Sequence, residues 1–337
     1  MKNSQTYSTQ KNNILFWSVL IVLTLVTVVI SIGLGSVKLS PRQVLTILLG
    51  QDTTSTAAKI VLYSRLPHTF AAMLAGSALA VAGAVIQTVL HNPLASPGII
   101  GVNSSAGLAV ACICALMPTA QQFTPIFAFV GGLLGVFFIM GLSYRTGASR
   151  MTVVLAGIAI SNLFSAGIDA IVTLFPDALN GVTDFRIGGF SNVSMEQLKP
   201  AAWMILVSLL LVLSLSQQLD ILALGTEIAQ SLGLAVKPLR VILLVLAAAL
   251  AGAAVSFSGL LSFVGLIVPH TMRRLIGEKS CSLVVSSALG GAFFVMVSDL
   301  LARLLFAPFE IPVGIVLAFA GAPFFLWLLF KQKGVRA

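Results

Sequence analysis

Long apolar runs, separated by short polar segments, fill almost the whole chain. A helix of about 20 apolar residues is long enough to cross the hydrocarbon core of a bilayer. The pattern predicts about ten spans, several of them short or broken by Gly and Pro: 14–34, 63–88, 95–116, 124–143, 151–174, 200–217, 239–258, 263–276, 282–304 and 312–330. We therefore expect an all-α, polytopic membrane protein in which residues 1–337 form a single transmembrane domain.

One break in this pattern is rich in polar and turn-forming residues. The apolar run GSALAVAGAVIQTVL ends at residue 90 and gives way to HNPLASPGIIGVNSSAG, residues 91–107. Irregular polar backbone at membrane depth is tolerated only where protein buries it or where it lines a water-filled cavity. The break therefore favours a protein that moves a solute over a simple membrane anchor. A tight surface turn between two helices is the alternative.

Composition and charge narrow the class further. Apolar residues make up 58% of the chain and charged residues only 9%, whereas a soluble domain carries roughly 25% charged residues. The 19 Lys and Arg are scattered over short loops, so we expect no nucleic-acid partner. With the N-terminus inside, most of them fall in cytoplasmic segments, which predicts that both termini are cytoplasmic. The first apolar run predicts a retained span rather than a cleaved signal. The three cysteines predict apolar packing rather than disulfides.

Three connecting segments are longer than a turn, and two spans resemble each other. The predicted outer segments 35–62 and 175–199 are expected to hold short surface helices, and the inner segment 218–238 is also long. The sequence AGSALAVAG at 75–83 matches AGAAVSFSG at 251–259 at four of nine positions. This echo predicts an inverted repeat of spans 2–5 and 7–10, which is a common plan among transporters. Chance similarity between Gly- and Ala-rich helices is the alternative.

Four segments, taken in order, carry a resemblance to a known family. They are RLPHTFAAMLAGSALAVAGAVIQTVLHNPLASPGIIGVNSSAG at 65–107, ALGTEIAQSLGL at 223–234, SGLLSFVGLIVPHTMRRLIG at 258–277 and SDLLARLLFAPFEIPVGIVLAFAGAPFF at 298–325. In these motifs the chain resembles the permease subunits of ABC importers for iron-siderophores, haem and cobalamin. The resemblance covers nearly the whole chain after about residue 35.

The resemblance implies a permease subunit in the bacterial cytoplasmic (inner) membrane. Its expected substrate is an iron(III)-siderophore, with ferric citrate as one candidate, carried into the cytoplasm by ATP-driven alternating access; haem or cobalamin is the alternative. The implied partners are a dimer of ATPase subunits, an extracytoplasmic substrate-binding protein, a second permease subunit (identical or different) and membrane lipid. The chain contains no GxxxxGK[ST] phosphate-binding loop, so we expect ATP hydrolysis in a separate subunit, and no cofactor.

The resemblance implies that segment 220–236 couples the permease to the ATPase. The residues that it marks there are Leu224, Gly225, Glu227, Ala229, Leu232 and Gly233. From the residues alone, Ile228 and Leu232 are four positions apart and form a small apolar face on a helix. An amphipathic helix that lies on the bilayer surface is therefore the alternative.

The resemblance also implies that Arg65, His68 and Arg303 dock the substrate-binding protein, through charge complementarity with acidic residues. Many family members carry Arg where this chain has His68. This departure weakens the docking contact or makes it pH-sensitive, because His titrates near neutrality. The residues themselves allow other roles. Arg303 follows Asp299 by four positions, as in a helical ion pair, and Arg65 lies where a long cationic side chain reaches the membrane interface.

By the same resemblance, the translocation pathway or its gate includes Gln87, Asn92, Pro93 and Pro97, beside a cavity lined by spans two, five, eight and ten. Many relatives carry Arg where this chain has His91. A helix cap at the break is the structural alternative, because Asn side chains accept hydrogen bonds from free N–H groups. No metal site is expected, because the three histidines fall on different loops and spans.

Two other classes of membrane protein are weaker interpretations. An ion-coupled secondary transporter needs a charged or unwound site near the bilayer midplane in each half. Asp169 and Asp299 lie within predicted spans but toward their outer ends, so they are poor candidates for such a site. An intramembrane enzyme needs a Ser–His pair, an HExxH motif or paired aspartates, and the sequence offers none within the spans.

Overall fold

The computed structural model describes residues 2–35, 37, 39–98, 100–145, 150–191, 193–305 and 309–333. These residues form helices and connecting turns, with no β-strand among them. Within the same residues, seven helices are long and apolar enough to cross a membrane. The prediction of an all-α, multi-span protein is confirmed.

The helices follow one another with short connections. They are α1 Lys2–Gly33, α2 Pro41–Leu48, α3 Thr56–Ile60, α4 Leu66–Leu90, α5 Val102–Leu116, α6 Thr124–Arg145, α7 Arg150–Leu174, α8 Leu179–Ile187, α9 Met195–Ser214, α10 Ser216–Ala223, α11 Thr226–Ser231, α12 Val236–Ser258, α13 Val264–Ile276, α14 Ser280–Leu304 and α15 Val313–Lys333. A π-helical turn, Val61–Arg65, joins α3 to α4 without a break, and 3-10 turns precede α6 and α8.

Each of the ten predicted spans overlaps a helix, but several boundaries differ. The first helix begins at Lys2 rather than at residue 14. The third span begins at Val102 rather than at residue 95, because the backbone before it is irregular. The sixth begins at Met195 rather than at residue 200. There the Ser194 Oγ accepts a hydrogen bond from the Gln197 N–H at 3.3 Å, and the Gln197 side chain accepts one from the Ser194 N–H. This capping box starts the helix in a polar first turn that an apolar pattern does not register.

The predicted surface helices are present in both long outer segments. Segment 35–62 contains α2 and α3, and segment 175–199 contains α8. At the start of α3 the Ser55 Oγ accepts a hydrogen bond from the Ala58 N–H and donates one to Asp52 Oδ2 at 2.5 Å. The Ser55 hydroxyl, with the Ser55 N–H, lowers the pKa of Asp52. Local caps of this kind define these short helices.

The long helices pack in pairs that relate the two halves of the chain. α4 packs on α13 and α14, and correspondingly α12 packs on α5 and α6. The contacts of α5 with α6 and α7 have counterparts in those of α13 with α14 and α15. This correspondence relates α4–α7 to α12–α15, which are the predicted spans 2–5 and 7–10. Because corresponding spans are five crossings apart, the two repeats run in opposite directions across a membrane.

α4 lies at the centre of the molecule, and its packing depends on small residues. Gly76 faces Gly291 of α14 so closely that a Cβ at position 76 would lie 2.2 Å from the Gly291 carbonyl oxygen. Gly83 faces Gly265 of α13 in the same way, at 2.0 Å. Small residues allow the backbones of membrane helices to approach, and this packing replaces the hydrophobic driving force that lipid removes.

Candidate functional site

The predicted coupling segment presents apolar side chains to solvent. Leu224, Ile228 and Leu232 are 58%, 50% and 61% exposed. Ile228 and Leu232 are four positions apart and lie on one side of the α11 turn, Leu224 precedes the bend at Gly225, and Glu227 is also exposed. Ala229, next to Ile228, is fully buried and holds the helix against the protein. The segment therefore displays an apolar stripe without covering it.

Two glycines bend the chain on either side of α11. Gly225 has φ +112° and Gly233 has φ +81°. A Cβ at either position would meet nothing within 4 Å, so the need for glycine comes from the backbone conformation and not from crowding. The two glycines therefore bracket a short helix, and the assignment of the segment to ATPase coupling stays a prediction.

The helix before the stripe is tied to a long membrane helix. Asp220 Oδ1 in α10 accepts a hydrogen bond at 2.7 Å from the Ser280 N–H, which is the first residue of α14. A carboxylate at this place caps free N–H groups and lies at the positive end of the helix dipole. Sequence reasoning did not single out Asp220, although an acid at the first position of the predicted coupling segment 220–236 was a usable signal.

The break after α4 is a helix cap followed by an Asx turn. His91 has φ +49° and ψ +38°, its N–H donates to Thr88 O, and the Asn92 N–H donates to Gln87 O. This pair of bonds is a Schellman motif. The Asn92 side chain then accepts a hydrogen bond from the Leu94 N–H at 2.9 Å. The alternative in which Asn92 caps the following helix is wrong, because α5 begins after Gly101, which makes no side-chain cap hydrogen bond.

Each half of the chain contains a helix that is too short to cross a membrane alone. α5 has 15 residues and α13 has 13, which correspond to about 20 Å against a hydrocarbon core of about 30 Å. Left-handed residues precede both helices: Gly101 has φ +78° and Phe263 has φ +66°. Discontinuous helices in matching positions of two repeats are typical of transporter pathways.

The four predicted pathway residues lie in different surroundings. Gln87 is 3% exposed and lies between α4 and α13. Pro97 is buried, Asn92 is half-buried and Pro93 is exposed. Asn92, Pro93 and Pro97 thus lie in the break, whereas the side chain of Gln87 lies at the contact of α4 with α13. Their role in the pathway stays a prediction.

The three residues predicted to dock a binding protein are buried around the end of α1. Arg65 is 4% and Arg303 is 5% exposed. Arg65 Nη1 donates to Ile32 O at 3.1 Å and to Gly33 O at 2.7 Å, and Arg303 Nη2 donates to Ser31 Oγ at 2.8 Å. The last carbonyls of a helix have no intrahelical donors. The two guanidinium groups supply donors to α1 from α14 and from the turn before α4.

An acid completes this cluster. Asp299 Oδ1 lies 2.8 Å from His68 Nε2. Asp299 Oδ2 lies 3.0 Å from Arg303 Nε, and this second contact is an ion pair without the geometry of a hydrogen bond. The helical ion pair that the spacing allowed is therefore present, whereas Arg65 bonds to α1 instead of reaching the interface. Docking by Arg65, His68 and Arg303 stays a prediction.

The two acids within the predicted spans, Asp169 and Asp299, both pair with neighbouring side chains. Asp169 is exposed and pairs with Arg186 at 3.5 Å. Asp299 pairs with His68 and Arg303. In the described part of the chain, no three His, Cys, Asp or Glu side chains form a group that could hold a metal ion.

Three chain segments join by backbone hydrogen bonds at the ends of α8 and α12 and the start of α15. The bonds are Leu260 N–H to Phe185 O at 2.8 Å, Gly189 N–H to Ser258 O at 2.8 Å and Gly314 N–H to Gly188 O at 3.2 Å. Glycines make this approach possible, because a Cβ at Gly314 would lie 1.9 Å from Ile187 O. Beside this junction is a cavity of about 350 Å³, lined in part by Asp184, Gln197 and Ser256.

Comparison with known proteins identifies the class of this arrangement. Residues 23–331 match the model of the FecCD transport family. The chain is 37% identical to the Fe(3+)-citrate import system permease protein YfmE of Bacillus subtilis, over 96% of this chain and 97% of that protein. It is 36% identical to the achromobactin transport system permease protein CbrC of Dickeya dadantii, with coverages of 94% and 91%. It is 35% identical to the hemin transport system permease protein HmuU of Yersinia pestis, with coverages of 94% and 96%.

A solved structure agrees with these relatives. The inward-facing conformation of a metal-chelate type ABC transporter superposes with a TM-score of 0.80 at 30% identity, over 96% of this chain and 99% of the other. Relatives of this kind are permease subunits, and in this family the ATPase is a separate subunit. The chain is thus a multi-pass permease subunit of an ABC importer for iron complexes, and it belongs to the FecCD transport family.

Proposed function

We propose that this chain is one of two permease subunits of a binding-protein-dependent ABC importer. The importer carries an iron(III) chelate of the siderophore class, such as ferric citrate, into the cytoplasm by ATP-driven alternating access. The observation that carries the proposal is the uncovered apolar stripe Leu224–Ile228–Leu232 on the coupling segment. A stripe that is rimmed by polar residues and left open to solvent is typical of a protein docking surface.

The stripe fits an ATPase subunit. Burying a Leu or Ile side chain fully contributes about 2 kcal/mol, so covering three half-exposed side chains contributes about 3 kcal/mol to holding a partner. Motion of that partner reaches the membrane helices through Asp220, which holds the start of α14. Leu224, Gly225, Glu227, Ala229, Leu232 and Gly233 are the residues that we assign to this coupling.

The substrate-binding protein docks at the opposite end of α14. That helix runs from Ser280, beside the coupling segment, to the Arg303 cluster at the end of α1, a distance of about 35 Å along the helix. Docking on Arg65, His68 and Arg303 requires acidic groups that compete with the α1 carbonyls. Both termini and the coupling segment then face the cytoplasm.

The substrate class follows the relatives. Their names include Fe(3+)-citrate, achromobactin and hemin. The relative named for Fe(3+)-citrate is 37% identical and the one named for hemin is 35% identical, so an iron chelate is our first assignment and haem is the second. Gln87, Asn92, Pro93 and Pro97 are assigned to the translocation pathway or its support.

The stripe is tested with a double variant, Ile228→Ser with Leu232→Ser. Both side chains are exposed, so the fold of the permease should survive. We expect ATPase binding to weaken at least about tenfold, the equivalent of 1.4 kcal/mol, and chelate uptake to fall in parallel. Gln230→Ala, on the same short helix, is the matched control. Undiminished ATPase binding by the double variant would contradict the assignment.

The substrate is tested by uptake of radiolabelled iron citrate, catecholate and hydroxamate chelates into iron-limited cells that lack the gene. Loss of one ferric chelate, restored by the wild-type gene, supports the proposal. Loss of haem uptake alone would keep the family assignment and make haem the substrate. Uptake that persists without an ATPase and follows an ion gradient would favour a secondary transporter.

A further inference from the structure

Pro269 leaves one carbonyl of α13 without its helical donor. Proline has no backbone N–H, so the carbonyl four residues earlier, Gly265 O, receives no intrahelical hydrogen bond from position 269. Gln87 of α4 fills this vacancy, because its Nε2 donates to Gly265 O at 3.0 Å. Gln87 is 3% exposed. The donor therefore lies in the protein interior, where an unpaired carbonyl is costly.

The other end of the same amide holds a second part of α13. Gln87 Oε1 accepts a hydrogen bond from Arg273 Nη1. Arg273 Nη2 also donates to Ala84 O and to Thr88 Oγ1, both at 3.2 Å. One glutamine thus contacts α13 before and after its proline, and Arg273 contacts two further positions in the last turns of α4.

Close backbone contact adds a steric constraint to these polar bonds. A Cβ at Gly83 would lie 2.0 Å from Gly265 O, and a Cβ at Gly265 would lie 2.8 Å from Leu79 O. The two backbones therefore meet at the level of the first α13 turn, one turn of α4 away from Gln87. Sliding α13 along α4 would break the Gln87 bonds and force this contact apart at the same time.

We propose that Gln87 is a positioning residue that locks the proline-containing helix α13 onto α4, so that the two helices move as one body during transport. Without the lock, Gly265 O loses its donor and Arg273 loses its acceptor, and α13 moves independently of α4. ATP is then hydrolysed without a matching movement of substrate. The transport consequence rests on the proposed function, but the lock itself does not. The role of Gln87 is then to hold the pathway helices and not to contact substrate.

The test is a mutant cycle on the assembled importer in proteoliposomes. Gln87→Leu removes both bonds, and Pro269→Ala restores a backbone N–H to Gly265 O. We expect Gln87→Leu to lower the amount of ferric chelate moved per ATP by about tenfold, the scale of one unpaired buried carbonyl. In the double variant Gly265 O has a donor again, but no bond from residue 87 joins α4 to α13, so the amount of chelate moved per ATP should stay low. Pro269→Ala alone should stay within about twofold of wild type.

A second variant and a second measurement keep the test independent of uptake. Gln87→Glu keeps an acceptor for Arg273, so it should lose less chelate movement per ATP than Gln87→Leu. Thermal unfolding of the purified permease should show that Pro269→Ala stabilises Gln87→Leu, because the buried Gly265 carbonyl has a donor again. Recovery of chelate movement per ATP in the double variant would overturn the lock, and so would the absence of any stabilisation in unfolding. A change in which chelate is preferred would also overturn it, because a pathway-lining residue is expected to act that way. Wild-type importer that moves no chelate would refute the proposed function, and the unfolding cycle would still decide whether Gln87 supplies the donor that holds Gly265 O of α13.

Discussion

Substitution of Gly76 by Ala tests the central helix contact. A Cβ at this position would lie 2.2 Å from the Gly291 carbonyl oxygen, 2.6 Å from its carbon and 3.0 Å from the Val295 Cβ. The first two obstacles are backbone atoms of α14, so no side-chain rotation can relieve them. The added methyl group must push α4 and α14 apart along a contact that organises both halves of the chain.

The expected cost follows from two opposing effects. Overpacking a tight contact costs about 1–3 kcal/mol, and the upper end applies because the obstacle is backbone. Replacing Gly by Ala inside a helix returns up to about 1 kcal/mol of helix propensity. We expect a net loss of about 2 kcal/mol, and a thermal midpoint lowered by about 5 °C on the scale of large domains.

Thermal unfolding of the detergent-solubilised permease measures this loss. Gly141→Ala in α6 is the matched control, because a Cβ there meets nothing within 4 Å; its midpoint should stay the same or rise. Gly291→Ala should match Gly76→Ala, and the double variant should cost less than the sum, because both changes open one contact. Equal midpoints for Gly76→Ala and Gly141→Ala would refute the reasoning.

Three further predictions use the same unfolding measurement. Arg303→Ala should cost about 3 kcal/mol by stranding buried partners, whereas Arg186→Ala, in an exposed pair, should cost less than about 1 kcal/mol; similar losses would contradict the cluster. Asp220→Ala should cost about 1 kcal/mol as a lost helix cap, and Asp220→Asn, which keeps an acceptor, should cost less. Gly188→Ala should destabilise the permease more than Gly277→Ala. Both glycines have positive φ, but only a Cβ at position 188 meets a backbone carbonyl, at 2.2 Å. Equal losses would show that the junction of α8, α12 and α15 is not tight.

Hydropathy was sufficient to find the membrane helices, but not all of their ends. Each of the ten apolar runs lies on a helix, because a bilayer selects for long apolar helices whatever their neighbours. Met195 starts its helix five residues before the apolar run, since the start depends on a capping box and not on hydrophobicity. The two glycines that bracket α11 could also be recognised in the sequence, because a positive φ is a local property of the backbone.

For the polar residues near and within the spans, the sequence showed that a polar group is present but not which group it contacts. Arg65 and Arg303 stood out by charge, yet their partners are carbonyls and a hydroxyl of α1, 32 to 272 residues away. Arg273 and Asp220 were not singled out, because their importance lies in the groups that they meet. Pro269 lies inside an apolar run, but nothing in the sequence around it points to Gln87, which is 178 residues from Gly265.

The sequence by itself determined that the chain is a many-span membrane protein with a polar break, a short amphipathic segment between two spans and a faint repeat. These properties depend on local composition and periodicity, because the hydrocarbon core of the bilayer selects for apolar helices whatever their neighbours. Only the tertiary structure decided which polar group satisfies which. Inside a membrane each buried polar atom needs a partner from the protein, and the identity of that partner depends on how distant helices pack.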